Sequence, residues 1–372
     1  MYEIKFLESI ENLKNFVQGN LGFNLSTSKA REITSCLIQG RLFLQAAKDS
    51  PIEIKPLQLY YGVMAFATAI ILVQTRKVLA NLVPSHGVLQ GVGNTLADTV
   101  ATIKKSGTFI DFNDVVCNFD GVSYIAGTKR FIKKLPSSSS VGLFGKNISL
   151  KEILSRLPGL GDIYFITFNE RPKNKNILLF VDSNESNAQI QIWDQDIACT
   201  QDHLSRLVNN LRESYPFLQK WCLISASVHY ERTVLDFKNL EKNIVNDLSE
   251  SFLIKQGESD FTANQSTLNS MDKFNFIESL QPLTGALLKG NQHASESFEG
   301  EYISEFSLYY LGAFILSSVA RYRPNMWMSA ITHSVIANEA GGDAMLAILE
   351  KFMDIAIDHI PKMVVSAFGV KR

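Results

Sequence analysis

Residues 51–87, PIEIKPLQLYYGVMAFATAIILVQTRKVLANLVPSHG, decide the fold of this chain. Over 57–82 the stretch is apolar almost all round. A helix with no polar face must be enclosed by other helices. Its most apolar run, Leu59 to Val73, is about 15 residues, whereas a membrane crossing takes about 20. It also contains Gly62, Thr68, Tyr60 and Tyr61, so the expectation is a buried core helix and no membrane role. Pro84 closes the helix, and Ser85, His86 and Gly87 read as a turn or as the start of the next helix. A second apolar helix is expected from Glu301 to Arg323, ending in RYRPNMW (321–327). Neither end of the chain can cover its own apolar helix, so the two helices are expected to pack on each other.

Working outward, STSKAREITSCLIQGRLFLQAAKD (26–49) reads as a helix capped by Ser26 or Ser28 and stopped by Pro51. Residues 88–105 read as a short helix interrupted by glycines. The middle of the chain changes character. VVCNF, GVSYIAG and RFIKKL between Phe109 and Lys134 are β-like, and DIYFITF (162–168), NILLFVD (176–182), AQIQIWD (188–194) and WCLISASVHY (221–230) read as strands. Helices are expected at 149–161, with Ser149 as cap and Glu152 as capping-box partner, and at 201–213. Residues 255–273 read as a polar loop, and helices resume at 300–321, 326–338 and 343–360. The predicted fold class is α+β: a mainly helical body from the N- and C-terminal regions around a small β-containing middle domain. The expected division is 1–108 helical, 109–235 α+β insert, 236–299 polar linker and loop, and 300–372 helical.

Composition narrows the function classes. The chain has 372 residues, 46% hydrophobic and 20% charged, with net charge −1. It can bury a large core and carries no global basic balance toward nucleic acid, although a local basic patch is compatible with neutrality. The N-terminal MYEIKFLESIENLKNF has early acids and no basic run before an apolar one, so no secretion signal and a cytoplasmic location are expected. Cys36, Cys117, Cys199 and Cys222 are widely spaced, which argues for buried free thiols rather than a zinc site. There is no GxxxxGKS/T loop, HExxH, GxSxG or dinucleotide glycine pattern, and no cofactor is expected. Asp182 and Asp194, at strand ends, are readable either as Mg²⁺ ligands across a hairpin or as ordinary strand-end acids.

Two constellations remain. His86 is readable as an exposed base or phosphate ligand, or as an imidazole satisfied by backbone at a helix break. Arg321 and Arg323 stand just before Pro324 and Trp327, placed either to grip a phosphate beside a stacking indole or to pair with Glu301 or Glu305. Ser317 and Glu305 share a helical side with Arg321. His333 lies ten residues beyond Arg323. Lys129, Arg130, Lys133 and Lys134, interleaved with Phe131, form the densest basic cluster, readable as a nucleic-acid contact or a solvated surface.

IKPLQLYYGVM (54–64), SHG (85–87) and LSSVARYRPNMW (316–327), with Glu305 ahead of the last motif, resemble the YaaC-like family of bacterial proteins. The resemblance spreads over most of the chain, and some members of that family look like components of bacterial defence loci. The N-terminal part also resembles the HEPN superfamily, through Tyr60, Tyr61, Ala65, Ala67, Ala69 and Leu72 followed by His86 and Gly87. That resemblance implies a homodimeric, metal-independent ribonuclease using an Arg and a His four to six residues apart. Here Arg76 to His86 and Arg323 to His333 are each ten apart. The expectation is a defence-associated protein recognising RNA or nucleotides, with His86 and Arg323 as catalytic candidates. Arg321, Trp327 and the basic cluster are expected to bind, and Tyr60, Tyr61, Gly87, Glu305 and Pro324 to act structurally. The alternative is a non-catalytic subunit of a multi-protein defence complex.

Overall fold

In a computed structural model, residues 2–120, 122–125, 130–133, 140–182, 186–241, 259–263, 265–276, 292–332 and 341–369 are described. The chain is α+β, with N- and C-terminal helices flanking a smaller sheet-containing middle region. It divides into two compact units. The first comprises Met1–Asp120, Pro136–Lys173 and Glu301–Arg372, and the second Gly121–Leu135 and Asn174–Gly300.

The first unit is built around the central helix, Lys55–Thr75. Pro56 sits in its first turn, where a missing N–H costs nothing. Its most apolar window is 72% buried within the protein, as expected of a core helix. It stops at Thr75, earlier than predicted, because Arg76 turns left-handed (φ 58°) and Lys29 donates to the Arg76 carbonyl at 2.6 Å. The preceding helix, Thr27–Asp49, is capped by Ser26, whose hydroxyl accepts from the Lys29 N–H. These two helices approach at glycines. A Cβ at Gly62 would lie 2.7 Å from Leu44, and one at Gly40 would lie 2.7 Å from the Phe66 ring.

The helix Glu305–Tyr322 packs on the central helix as expected, with Tyr310 and Phe314 edge-on to Tyr60. The helix Gly341–Gly369 runs on through Pro361, past the predicted end at 360, because Met363, Val364, Ala367 and Phe368 stay buried beyond the proline. Gln74 ties it to the central helix by donating to the Ala367 carbonyl at 2.9 Å.

Strands are numbered along the chain: β1 Val88–Gln90, β2 Val100–Ile103, β3 Val122–Ile125, β4 Arg130–Lys133, β5 Asn147–Ser149, β6 Asn174–Val181, β7 Ala188–Asp194, β8 Cys222–His229, β9 Arg232–Lys238, β10 Ser259–Thr262 and β11 Gln292–Ser295. In the first unit β1, β2 and β5 form an antiparallel sheet, so the helix predicted over 88–105 is replaced by two strands. Gly91 and Gly93 explain this: a Cβ on either would clash with the returning Val100 or Asp98. VVCNF is helical, within Thr108–Asp120, since Phe109, Phe112, Val115 and Val116 bury one helical face. DIYFITF is also helical, within Gly161–Phe168, closed by left-handed Asn169. Ser149 caps the helix Leu150–Arg156 as expected. The Glu152 carboxylate turns instead to Arg156 and to Lys173, the latter at 2.8 Å.

The second unit holds the six-stranded sheet β10-β8-β9-β7-β6-β11 and the two-stranded β3-β4. Ala188, Ile190 and Ile192 alternate inward with Gln189, Gln191 and Trp193 outward. The helix Gln201–Ser214 buries Leu204, Leu207, Val208 and Leu211 in the same core. The predicted loop 255–273 contains β10 and a short helix, Gln265–Ser270, among its described residues. Asp182 and Asp194 are not neighbours. Asp182 closes the β6–β7 turn by accepting from the Ser186 N–H at 2.8 Å, while Asp194 stands beyond the opposite end and pairs with Lys175 at 2.6 Å. No group of three or more potential metal ligands occurs among the described residues. All four cysteines are free, and Cys199 is exposed rather than buried.

Candidate functional site

His86 is held by its backbone before its ring does anything. Gly87 sits at φ 78°, where a Cβ would meet the Phe109 nitrogen at 2.9 Å. Ser85 accepts from the Thr108 N–H at 2.8 Å, His86 from Phe109 at 3.0 Å, and Gly87 from Lys104 at 3.0 Å. Three consecutive carbonyls are therefore pinned by the start of one helix and the end of β2. Tyr310 adds a fourth tie, its hydroxyl donating to the His86 carbonyl at 3.0 Å.

The ring meets Tyr60, whose hydroxyl lies 2.7 Å from Nδ1. Tyr310 has committed its only hydrogen, so the Tyr60 hydrogen has two acceptors: Nδ1 at 2.7 Å and the Tyr310 oxygen at 3.4 Å. Turned toward Nδ1, it leaves the ring proton of a neutral imidazole on Nε2. Turned toward Tyr310, it lets Nδ1–H donate to Tyr60 and leaves Nε2 bare. The orientation of the Tyr60 hydroxyl thus selects between the two neutral tautomers. When Nδ1 carries the ring proton, the other having left Nε2 to solvent, Nε2 is free to act as a base.

Burial of the ring depresses the His86 pKa below its ordinary 6.5, and the charges of Arg321 and Lys104 depress it further. The imidazole is neutral at pH 7. Burial drives the Tyr60 and Tyr310 hydroxyls well above the usual tyrosine range, so both keep their protons. The Arg321 guanidinium donates to the Ser317 carbonyl at 3.2 Å, to its hydroxyl at 3.3 Å and to Tyr61 at 3.5 Å, and it lies 5.0 Å from the Tyr322 ring centre. Among the described residues no carboxylate pairs with Arg321 or Lys104. The anticipated partner Glu305 stands sixteen residues away along the helix, about 24 Å. Its buried carboxylate accepts from Tyr309 at 3.1 Å, with His359 at 3.8 Å.

His86 and Lys104 line an open groove of about 540 Å³, with Ser85, Thr108 and a series of aliphatic side chains. This is the site the residues build: a neutral base on the wall of a groove, in the field of two cations that pair with no acid among the described residues.

Some predicted residues stand elsewhere. Arg323 ends the Glu305–Tyr322 helix, its N–H donating to Val319 at 2.9 Å, and it does not enter the field at His86. Trp327 is 1% exposed and donates to the Glu53 carbonyl at 3.0 Å, the position of an anchor rather than an open stacking face. Pro324 opens the short helix Pro324–Ile331. Tyr61 stacks on Phe43 and faces Arg321. Arg130 and Lys133 lie on β4, while Lys129, Lys134 and His333 lie outside the described residues. Sequence reasoning missed Tyr310 and Lys104. Tyr310 carried a signal, since the tandem Tyr309-Tyr310 echoes Tyr60-Tyr61 on the helix expected to pack against it. Lys104 carried none.

The model of the YaaC-like protein family matches residues 5–368, and the chain belongs to that family. No curated protein and no solved structure matches it. The match supports no separate assignment to the HEPN superfamily.

Proposed function

We propose that this YaaC-like protein is a defence-associated effector that recognises RNA or nucleotides and cleaves RNA without a metal, working as a homo-oligomer in the cytoplasm. The observation that carries the reading is the neutral His86 imidazole in the field of Arg321 and Lys104, which pair with no carboxylate among the described residues. With Nδ1 protonated against Tyr60, Nε2 takes the proton of a ribose 2′-hydroxyl. The 2′-oxygen forms a bond to the adjacent phosphorus, and the bond to the 5′-oxygen breaks. The imidazolium returns its proton to that leaving oxygen, giving a 2′,3′-cyclic phosphate and a 5′-hydroxyl. Arg321 and Lys104 stabilise the negative charge that builds on the phosphoryl oxygens. Arg321, coupled to His86, takes the role first assigned to Arg323.

A purified preparation incubated with mixed single-stranded RNA in EDTA tests this. Cleavage is expected, with His86→Ala lowering the rate at least about 100-fold and Arg321→Gln about tenfold or more, while Arg323→Gln leaves it within about twofold. No cleavage by the wild type, or full activity in His86→Ala, sinks the catalytic reading.

A second reading has its own observation. Tyr2, Phe6, Ile38 and Leu42 are exposed on two helices that pack together, an apolar surface suited to a subunit of a larger assembly. Wild-type protein that co-purifies with a partner yet cleaves nothing with it favours that reading.

A further inference from the structure

The groove beside His86 has a composition that phosphate chemistry alone does not require. Leu79, Val83 and Leu89, which line it, are 46%, 44% and 52% exposed. Aliphatic side chains so open on one groove suit an occupant with an apolar face. The polar members are gathered at one junction. Thr108 donates both its N–H and its hydroxyl to the Ser85 carbonyl, at 2.8 and 3.1 Å, and the Lys104 N–H binds Gly87. The groove's volume falls within the ordinary range for small-molecule sites.

We propose that this groove is a single-nucleotide subsite, in which Lys104 takes the phosphate and the shelf of Leu79, Val83 and Leu89 takes one face of the base. The assignment rests on the effector reading and names the unit of RNA that it holds. Three features select a nucleotide. A free phosphate leaves the shelf bare. A flat base covers it while keeping its polar edges in water, as an open groove permits. Ser85 and Thr108 line the same groove and carry hydroxyls that match a ribose, which an acyl chain lacks. The positive charge is available because no acid neutralises Lys104 among the described residues. His86 then meets the sugar–phosphate junction of the bound nucleotide, where its chemistry is required.

Calorimetric titration of the full chain with adenosine 5′-monophosphate and with ribose 5-phosphate tests the assignment. The nucleotide is expected to bind at least about tenfold more tightly than ribose 5-phosphate, since a base face on aliphatic carbon contributes about 1.4 kcal/mol or more. Lys104→Gln weakens both ligands about tenfold. Val83→Asn, at an exposed position, removes the advantage of the nucleotide and leaves ribose 5-phosphate unchanged. Equal affinity of the two ligands for the wild type overturns the proposal, as does unchanged affinity in Lys104→Gln or decanoate displacing the nucleotide. The two readings fail separately. His86-dependent RNA cleavage with equal binding of the two ligands removes the subsite and leaves the effector. The predicted binding pattern without cleavage removes the catalysis and leaves the subsite.

Discussion

At His86 a single hydroxyl hydrogen decides what the ring can do. Tyr60→Phe deletes the partner of Nδ1 without changing the ring that packs on Tyr310 and Phe314. Stability is expected to fall by about 1 kcal/mol, the loss of one part-buried hydrogen bond. Cleavage is expected to fall about tenfold or more with little change in KM, since the tautomer and not the binding is disturbed. Nitrogen NMR of His86 reads the tautomer directly, and an unchanged tautomer and rate refute the relay. The groups facing His86 are Tyr60 from the central helix, Tyr310 and Arg321 from the later helix, and Lys104 after β2. Because its folded pKa lies below the unfolded value of about 6.5, the unfolded chain binds the extra proton first. The associated stability is full above pH 6.5 and is lost as pH falls through the depressed folded pKa. Activity is therefore expected to persist below pH 6.5, with Arg321→Gln moving the acid limb upward. An acid limb that does not move disproves the coupling. His86 and Arg321 were legible as singular residues in the sequence. Their pairing was not, because 235 positions separate them and the geometry implied by the HEPN resemblance was an Arg four to six residues from its His.

Among the elements, the central helix depends on two glycines. Gly62→Ala puts a methyl group 2.7 Å from Leu44 and 3.2 Å from the Gly40 carbonyl. The helices must part, at an expected cost of about 1–3 kcal/mol, measurable by chemical denaturation. A neutral or stabilising outcome shows that the contact yields freely. Local pattern served well where one face was wet: β7 alternates without exception, and the helix Gln201–Ser214 carries a clean apolar stripe below its Thr200 cap. It failed at DIYFITF and VVCNF, where β-branched and aromatic residues fill helices. Both are short, rich in residues that suit either state, and settled by what lies beside them. Asn169 ends the first in the left-handed conformation, and the second buries Phe109 and Phe112 against Tyr310.

On the scale of the molecule, the first unit is assembled from both ends of the chain, with the central helix enclosed by Thr27–Asp49, Glu305–Tyr322 and Gly341–Gly369. Amide hydrogen exchange is expected to be slowest in Lys55–Thr75 and Glu305–Tyr322, and to be lost from both together on global unfolding. Independent exchange of the two helices contradicts a shared core. Truncation before Gly341 is expected to leave no stably folded body, since Phe352, Met353, Ala356 and Val364 are removed from it.

The sequence by itself determined that Lys55–Thr75 is enclosed and that a second apolar helix must help to enclose it, because unbroken hydrophobicity admits no solvent face. It also marked β6, β7 and β8 of the middle region through their β-branched and aromatic runs, though not β9, β10 or β11, and the YaaC-like family through its motifs. Only the tertiary structure decided which charges meet. Helix packing carries Tyr310 and Arg321 toward a loop more than 200 residues earlier, leaves Arg321 with no carboxylate among the described residues, and sets Lys104 and His86 on one groove. Proximity of this kind follows from how whole faces fill space together, and no local run of residues encodes it.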